Sequence, residues 1–377
     1  MSGTVPEGLP MCRSLLGGRY PSPVRELLRS RYPIGMYETG LVDNATAWGH
    51  GGYVLFSELP AGVAHRSSRR PELAEESILV RILAPVGGWV SADLLDRLAD
   101  AADRYGHGLM RVTTGGTIEI YVPRENVLPL VEALNACGLD VGSTGDGLRG
   151  VTACCGPARC DAALVDATGI ATYLGERFID EQQYPGFPHK CKTAVAGCPN
   201  DCIRAMTQKD HSFVGVYRGL PQIDSDRLWA WVSRGGDLQA LMRACPGGAI
   251  VVEGSRARID GARCIHCMVC INRCPAFRPG KERGVAWVVG GKYGFRGPGG
   301  AMVGQVLCPF IPVEGEDYTR IGDIFGRFLD VWCDRGLTKE RIGDFILRFG
   351  ARNILREMGL DPEGGHRDGA PAGGHHA

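Results

Sequence analysis

Four cysteines between positions 154 and 202 constrain this chain more than any other stretch. The first pair stands in Cys154-Cys-Gly-Pro-Ala-Arg-Cys160. The second follows a helix-length interval, in Lys190-Cys-Lys192-Thr-Ala-Val-Ala-Gly-Cys198-Pro-Asn-Asp-Cys202. Cys-x5-Cys followed by Cys-x3-Cys offers four soft ligands, the number a cubane iron–sulfur cluster takes. Zinc also accepts four thiolates, but its sites space them Cys-x2-4-Cys in both halves, and the longer gap fits that poorly. Four unrelated buried thiols are the plain alternative. Gly and Pro flanking both pairs argue against it.

Composition bounds the rest. A chain of 377 residues suits two or three packed units rather than one small core. With 44% hydrophobic and 22% charged residues it falls in the ordinary soluble globular class. The 42 basic and 42 acidic side chains cancel, so no global field points to nucleic acid or an anionic membrane. Attraction for an anionic substrate must then be local. The 55 glycines suggest many tight turns and close backbone approaches, as around a large flat cofactor. Fifteen cysteines would suggest disulfides in a secreted chain. The start, Met-Ser-Gly-Thr-Val-Pro-Glu-Gly, lacks a basic region followed by an apolar run, and the thiols cluster at metal-ligand spacings. A reducing cytoplasm is the expected compartment. No stretch approaches 18 uninterrupted apolar residues, so no membrane span is expected.

Taken in order, residues 1–76 form an Arg-, Pro- and Gly-rich segment expected to wrap over the core or a partner subunit. Within it Arg25-Glu-Leu-Leu-Arg-Ser-Arg suggests a helix turn and Trp48-Gly-His-Gly-Gly-Tyr-Val-Leu-Phe a short strand. Residues 77–148 read as a half-domain. Ile78-Leu-Val-Arg-Ile-Leu is a strand, and Ser91 caps a helix with apolar Leu94, Leu95, Leu98 and Ala102. Leu109–Thr114 and Thr117–Val122 flank Gly115-Gly116 as a hairpin, and a second helix covers about Arg124 to Cys137. This β-α-β-β-α order is ferredoxin-like in topology.

Residues 149–242 carry the two cysteine pairs. Leu164, Ala167, Ala171, Leu174 and Phe178 repeat at three and four, predicting an amphipathic helix. A strand over Lys190–Lys192 leads into the second pair, and Phe213-Val-Gly-Val-Tyr is another strand. Residues 243–283 hold Arg243-Ala-Cys245-Pro-Gly-Gly-Ala-Ile and Cys264-x2-Cys267-x2-Cys270-x3-Cys274-Pro, a bacterial-ferredoxin run. Residues 284–361 return to strand character and end in helix from Ile321 to Met358. Residues 362–377 are a Gly/His/Ala tail expected to be disordered. His50, His65, His107 and His211 occur singly and read as surface or satisfied core histidines.

The Cys-Pro-Asn-Asp-Cys pattern with its Cys-x5-Cys partner resembles the coupled sirohaem–[4Fe–4S] site of sulfite and nitrite reductases. The Phe187-Pro-His-Lys190-Cys-Lys192 approach and the later cysteine run resemble the dissimilatory sulfite reductase type, with a motif order like its alpha subunit. The resemblance runs from about Ser77 to Leu360. It implies an α+β chain: a ferredoxin-like half-domain and a sirohaem/[4Fe–4S] domain, with an inserted bacterial-ferredoxin-type [4Fe–4S] module. It implies sirohaem and two [4Fe–4S] clusters, the first on Cys154, Cys160, Cys198 and Cys202, with Cys202 as the bridging axial ligand. For the second cluster, a lone triplet leaves Cys274 no other cluster to serve, and Cys245-Pro resembles the remote ligand. Cys245, Cys264, Cys267 and Cys270 are expected to hold it.

Arg81, Arg149, Lys190 and Lys192 sit where this family places substrate-facing cations. Lys190 and Lys192 alternate with Cys191, so on extended chain both point to one face. Each alone would pass for a solvated surface charge. Arg111 and Lys292 are expected partners of the sirohaem carboxylates. The chain departs from the family pattern at Ala194, where a third lysine is common, at Cys274, where methionine is common, and in being shorter. The implied function is six-electron reduction of sulfite to sulfide, or its reverse. The alternatives are an electron-transfer scaffold subunit with a structural sirohaem beside a catalytic beta chain, or a sirohaem nitrite reductase. Expected partners are sulfite, a homologous beta subunit in an α2β2 assembly, and, as a further candidate, a small sulfur-carrier protein. No nucleic acid is expected.

Overall fold

A computed structural model of the chain describes residues 77–143, 146–183, 186–294 and 297–360. The expected wrapping segment, its helix turn and strand, His50, His65 and the tail lie outside those residues.

The half-domain is built on β1 (Ser77–Leu83), α1 (Ala92–Tyr105), β2 (Met110–Val112), β3 (Thr117–Pro123) and α2 (Val127–Ala136). The strands form an antiparallel sheet in the order β1-β3-β2. An antiparallel bridge from Ile82 to Val141 adds a vestigial fourth strand on the free side of β1, which completes a ferredoxin-like order. Ser91 caps α1 by accepting from the Leu94 N–H, as expected. The apolar face is shifted from the expected one. Leu98, Ala101 and Ala102 are buried while Leu95 is 45% exposed, because at 100° per residue Leu95 lies at the edge of the stripe centred on Leu98.

The second sheet gathers β4 (Thr152–Ala153), β5 (Thr193–Ala196) and β6 (His211–Arg218), joined by α3 (Ala167–Arg177), α4 (Ile179–Gln183) and the short α5 (Ala205–Gln208). Asp166 caps α3 through the N–H groups of Thr168 and Gly169. The helix therefore starts after Leu164, which instead packs beside Cys198. The expected strand over Lys190–Lys192 is a single bridge, Leu148 to Cys191, and regular pairing begins at Thr193.

Next comes the cysteine-rich module: β7 (Gln222–Ile223), α6 (Ser225–Ser233), α7 (Leu238–Ala244), β8 (Ile250–Glu253), β9 (Arg256–Ile259), α8 (Val269–Arg273) and β10 (Phe277–Arg278). Its own core joins Leu228 and Leu241 to Ile250, Cys274, Ala276 and Phe277, and β7 pairs with β10. As a packed unit it runs from 222 to 278, earlier at both ends than the 243–283 marked by the cysteines.

The chain then re-enters the second sheet with β11 (Glu282–Val289) and β12 (Gln305–Pro312). The order is β12-β11-β6-β5-β4, parallel across β4-β5-β6 and antiparallel beyond. The expected C-terminal helix is three: α9 (Thr319–Arg335), α10 (Ile342–Phe349) and α11 (Ala351–Glu357), separated at Gly336 and Gly350. The main core lies under this sheet, with α3, α9 and α10 supplying Leu174, Phe325, Phe328, Trp332 and Phe345 against Phe213 and Trp287. His211 is fully buried there, stacked on Trp287 and accepting from its indole N–H at 3.2 Å. Burial drops its pKa to about 3, so it is a neutral core residue. Among the described residues no helix is long and apolar enough to cross a membrane.

A basic cavity and two cysteine groups form the candidate functional site

Strand β1, the β2–β3 turn, the approach to β5 and the entry to α10 converge on a cavity of about 440 Å³. Arg81, Arg149, Lys190 and Lys192 all line it, together with Lys209 and Arg341. Its rim includes Thr113, Gly115 and Thr117 of the β2–β3 turn. Gly116 holds that turn against β4: its φ is +74°, and a Cβ there would meet Thr152 Cγ2 at 2.8 Å.

Arg81 is fixed from two sides. Its guanidinium donates to Glu119 Oε1 at 2.5 and 3.0 Å and to the Ser143 carbonyl at 2.7 Å. Arg149 also donates to the Ser143 carbonyl. Arg341 donates to both oxygens of Asp210, which is fully buried and also accepts the Lys192 backbone N–H at 2.9 Å. Asp210 thus ties the Lys190–Lys192 segment to the start of α10. Lys190, Lys192 and Lys209 have no carboxylate on their ammonium groups among the described residues.

The electrostatics follow from burial and crowding. Lys190 is pushed down to about 8 by burial, then by Arg341, Lys192 and Arg149. Lys209 falls to about 8 through burial and Lys192, and Arg149 to about 9 through burial and Arg81. Lys192 is lowered by burial, with Asp210 opposing. Six cations line the cavity and no carboxylate does, with Glu119 and Asp210 held behind Arg81 and Arg341. That arrangement suits a bound polyanion and makes the lysines ready proton donors near neutrality.

Arg111 stands beside this set rather than in it. It donates to the other oxygen of Glu119 at 3.0 Å with its side chain half exposed. Lys292 lies in a different setting. Its ammonium is 1% exposed and bound to both oxygens of Asp344 at 2.6 and 2.7 Å, outside the cavity lining, so its charge is already satisfied within the chain.

Cys154, Cys160, Cys198 and Cys202 form one group on the loops leaving β4 and β5. The Cys198 thiol is pushed up by burial and by the neighbouring Cys160, Cys202 and Cys154 sulfurs. Cys154 Sγ accepts the Gly197 N–H at 3.1 Å, a bond to sulfur typical of ligand loops. Cys202 is exposed whereas Cys198 is buried. Close backbone packing holds the loop: a Cβ at Gly215 would lie 2.2 Å from the Gly197 carbonyl oxygen. Asp201 and Arg204 flank Cys202 with φ of +42° and +55°, and His266 and Met268 flank Cys267 at +56° and +64°. Ordinary side chains rarely adopt this left-handed region. Both cysteine loops are thus locally strained.

In the module, Cys264, Cys267 and Cys270 act on one another: Cys270 is pushed up to about 11 by burial and then by Cys267 and Cys264. Cys245 packs against the same core as Cys270, and its sulfur accepts the Ala249 N–H at 3.2 Å. Cys274 is 1% exposed in the apolar interior. Among the described residues no three His, Cys, Asp or Glu side chains close on one point as around a single metal ion. A cubane does not ask for that, since each of its four thiolates binds a different iron corner. The donor set, all sulfur and backed by amide N–H groups, fits such a cluster.

The sequence reading missed Lys209, Arg341 and Asp210. Lys209-Asp210 follows Cys202 closely and could have been suspected from the charge pair before a strand. Arg341 carries no local signal, because only the fold brings it to a cavity built mostly from residues 81–209.

The comparisons agree with this geometry. The nitrite and sulphite reductase 4Fe-4S domain model matches residues 144–364, and the nitrite/sulfite reductase ferredoxin-like half domain model matches residues 72–137. The chain is 30% identical to the dissimilatory-type sulfite reductase alpha subunit of Allochromatium vinosum over 87% of this chain and 78% of that one. It is 25% identical to the dissimilatory-type beta subunit of Archaeoglobus fulgidus over 70% of this chain and 74% of that one. The crystal structure of dissimilatory sulfite reductase I superposes with a TM-score of 0.73 at 26% identity, covering 93% of this chain and 83% of that one. The half-domain, the paired cysteine loops and the extent of these matches place the chain in the dissimilatory-type sulfite reductase family, as an alpha-type oxidoreductase subunit that belongs with the sirohaem and [4Fe–4S] enzymes.

Proposed function

We propose that this chain reduces sulfite to sulfide with six electrons, or runs the same conversion in reverse, at a sirohaem coupled to the cluster of Cys154, Cys160, Cys198 and Cys202. The single observation carrying this reading is the cavity: four cations named from sequence meet there, and two more join them. When bound, the sirohaem–cluster pair supplies a metal that holds the sulfur and an electron store wired to it. The exposed Cys202 sulfur suits the shared ligand.

The chain's own residues do the rest. Arg81 and Arg149, both anchored on the Ser143 carbonyl, are rigid donors for anionic oxygens. Lys190 and Lys192 hold the sulfite oxygens and donate protons as each S–O bond breaks and water leaves. Lys190, lowered to about 8, gives up a proton more readily than an ordinary lysine. Lys209 and Arg341 extend the positive surface toward cofactor carboxylates, and Arg111 reaches the same region through Glu119.

Cys245, Cys264, Cys267 and Cys270 would hold a second cluster, which would supply an electron relay when bound, and Cys274 is a buried spare thiol. That arrangement amounts to about 9 iron atoms per chain, one in sirohaem and four in each cluster. A homologous beta-type chain completes an α2β2 assembly.

The test is anaerobic purification with any copurifying chain, followed by an optical spectrum, an iron count, and sulfite- versus nitrite-dependent oxidation of a reduced dye. A sirohaem spectrum with sulfite-dependent oxidation is expected. Cys245→Ser should lower the iron toward about 5 while Cys274→Ser leaves it unchanged. Nitrite as the preferred oxidant, or the opposite pattern of iron loss, would overturn the corresponding part of the reading.

A further inference from the structure

Two buried hydrogen-bond donors stand where the module meets the first cysteine group, and neither has a partner. Tyr217 on β6 is 6% exposed, and its hydroxyl makes no hydrogen bond. Arg283 on β11 is half-buried, and its Nη1 is likewise enclosed without an acceptor. The two residues face each other directly in the β6–β11 register, so their side chains rise on the same face of the sheet. A buried donor without an acceptor is costly, and each one in a folded protein calls for an explanation.

The surroundings supply one. Tyr217 packs in one apolar cluster with Cys198 and with Met268, which sits between Cys267 and Cys270. Its ring lies 5.3 Å from that of His266, the residue between Ile265 and Cys267. Asn272 on α8 donates to Asn200 Oδ1 at 3.0 Å, linking the module to the Cys-Pro-Asn-Asp-Cys loop at the same seam.

We propose that Tyr217 and Arg283 donate hydrogen bonds to sulfur of the cluster held by the Cys264–Cys270 run, and so set its reduction potential. This inference rests on the second cluster of the proposed function. The acceptors are the cysteine or inorganic sulfurs, which are soft and electron-rich. An electron entering the cluster raises the negative charge on those sulfurs, so both donors favour the reduced state and lift the potential. Arg283 adds its positive charge to the same effect. No covalent bond changes.

The test is a potentiometric titration of the second cluster's paramagnetic signal in the anaerobically purified holoenzyme. Tyr217→Phe keeps the ring and removes only the hydroxyl. Its midpoint should fall by a tenfold change in the reduced-to-oxidised ratio, about 59 mV for one electron. Arg283→Met should lower it at least as far, and Arg283→Lys should recover part of the loss. Iron content in wild type separates two failures. A wild type without the second cluster's iron sinks the reading this inference rests on. A wild type with full iron whose midpoint does not move in Tyr217→Phe and Arg283→Met overturns the inference itself. Loss of the cluster in both variants would also overturn it, since the pair would then hold the fold rather than tune the site.

Discussion

Lys190 and Lys292 are both withdrawn from water, yet they stand in opposite circumstances. Lys292 is held by both oxygens of Asp344, and Asp344 also accepts the Gly299 N–H. Nothing about that pair asks for a ligand. Lys190 lies in the cavity with its ammonium crowded by Arg341, Lys192 and Arg149, and burial pushes its pKa to about 8. A buried cation paired inside the chain is part of the scaffold; a set of cations left in excess around an opening is free energy held for an anion. From sequence, Lys190 is expected to face substrate and Lys292 to meet the sirohaem carboxylates, and neither expectation says which carboxylate of the chain lies nearby. The folded chain distinguishes them by where the carboxylates fall.

The largest expected effect comes from removing one sulfur of the first cysteine group. Cys202→Ser should abolish the coupling between cluster and sirohaem and leave less sirohaem bound, read from the optical spectrum and iron content. An unchanged spectrum would rule out Cys202 as the shared ligand. On the scaffold side, Asp344→Ala strands the Lys292 ammonium in the interior. It should destabilise the chain by about 3–5 kcal/mol, followed as a shift in denaturant midpoint. A loss below about 1 kcal/mol would mean that the pair is solvated in practice and the contrast with Lys190 is false.

Next in size is turnover. Lys190→Met or Lys192→Met should cut sulfite reduction by about a hundredfold, the effect of losing one transition-state donor, with cofactor content intact. Normal turnover in both would move the active site to a partner chain.

The subtlest test uses pH on the cofactor-free chain. The Lys190 pKa is lowered on folding, so the unfolded chain binds more protons than the folded one between about pH 8 and the ordinary lysine value of about 10.5. Its charge therefore costs stability fully below about pH 8, and that cost disappears as pH rises through the window. Lys190→Met should be more stable than wild type at neutral pH, and the difference in thermal midpoint should close by about pH 10.5. A difference that stays constant across the window would show that Lys190 is not crowded as described.

Much of this was legible from residues alone, for identifiable reasons. The cysteine groups are local in sequence, and the half-domain follows from period and capping: Ser91, the Gly115-Gly116 turn and the alternation in β3 all act within a few residues. Arg149, Lys190 and Lys192 were reachable because the family motif sets their offsets from nearby cysteines, and Arg81 because it lies on the first strand before Ala84-Pro-Val-Gly-Gly. What failed was long-range. The Lys292–Asp344 pair and the Arg341–Asp210 pair join residues 52 and 131 positions apart, and no local pattern predicts which carboxylate a cation will meet. The module's true span was hidden because α6 and α7 carry no cysteine and join it only through packing of Leu228 and Leu241.

The left-handed residues beside Cys202 and Cys267 have a consequence for how the site is assembled as well as for its chemistry. Asp201, Arg204, His266 and Met268 each hold a conformation costing on the order of 1–3 kcal/mol when surrounding contacts do not enforce it. Around Cys202 the chain supplies such contacts itself: Asp201 accepts the N–H groups of Ala205 and Met206, and Gly215 packs against the Gly197 carbonyl. The backbone that presents this sulfur is thereby set by the polypeptide before any ligand arrives.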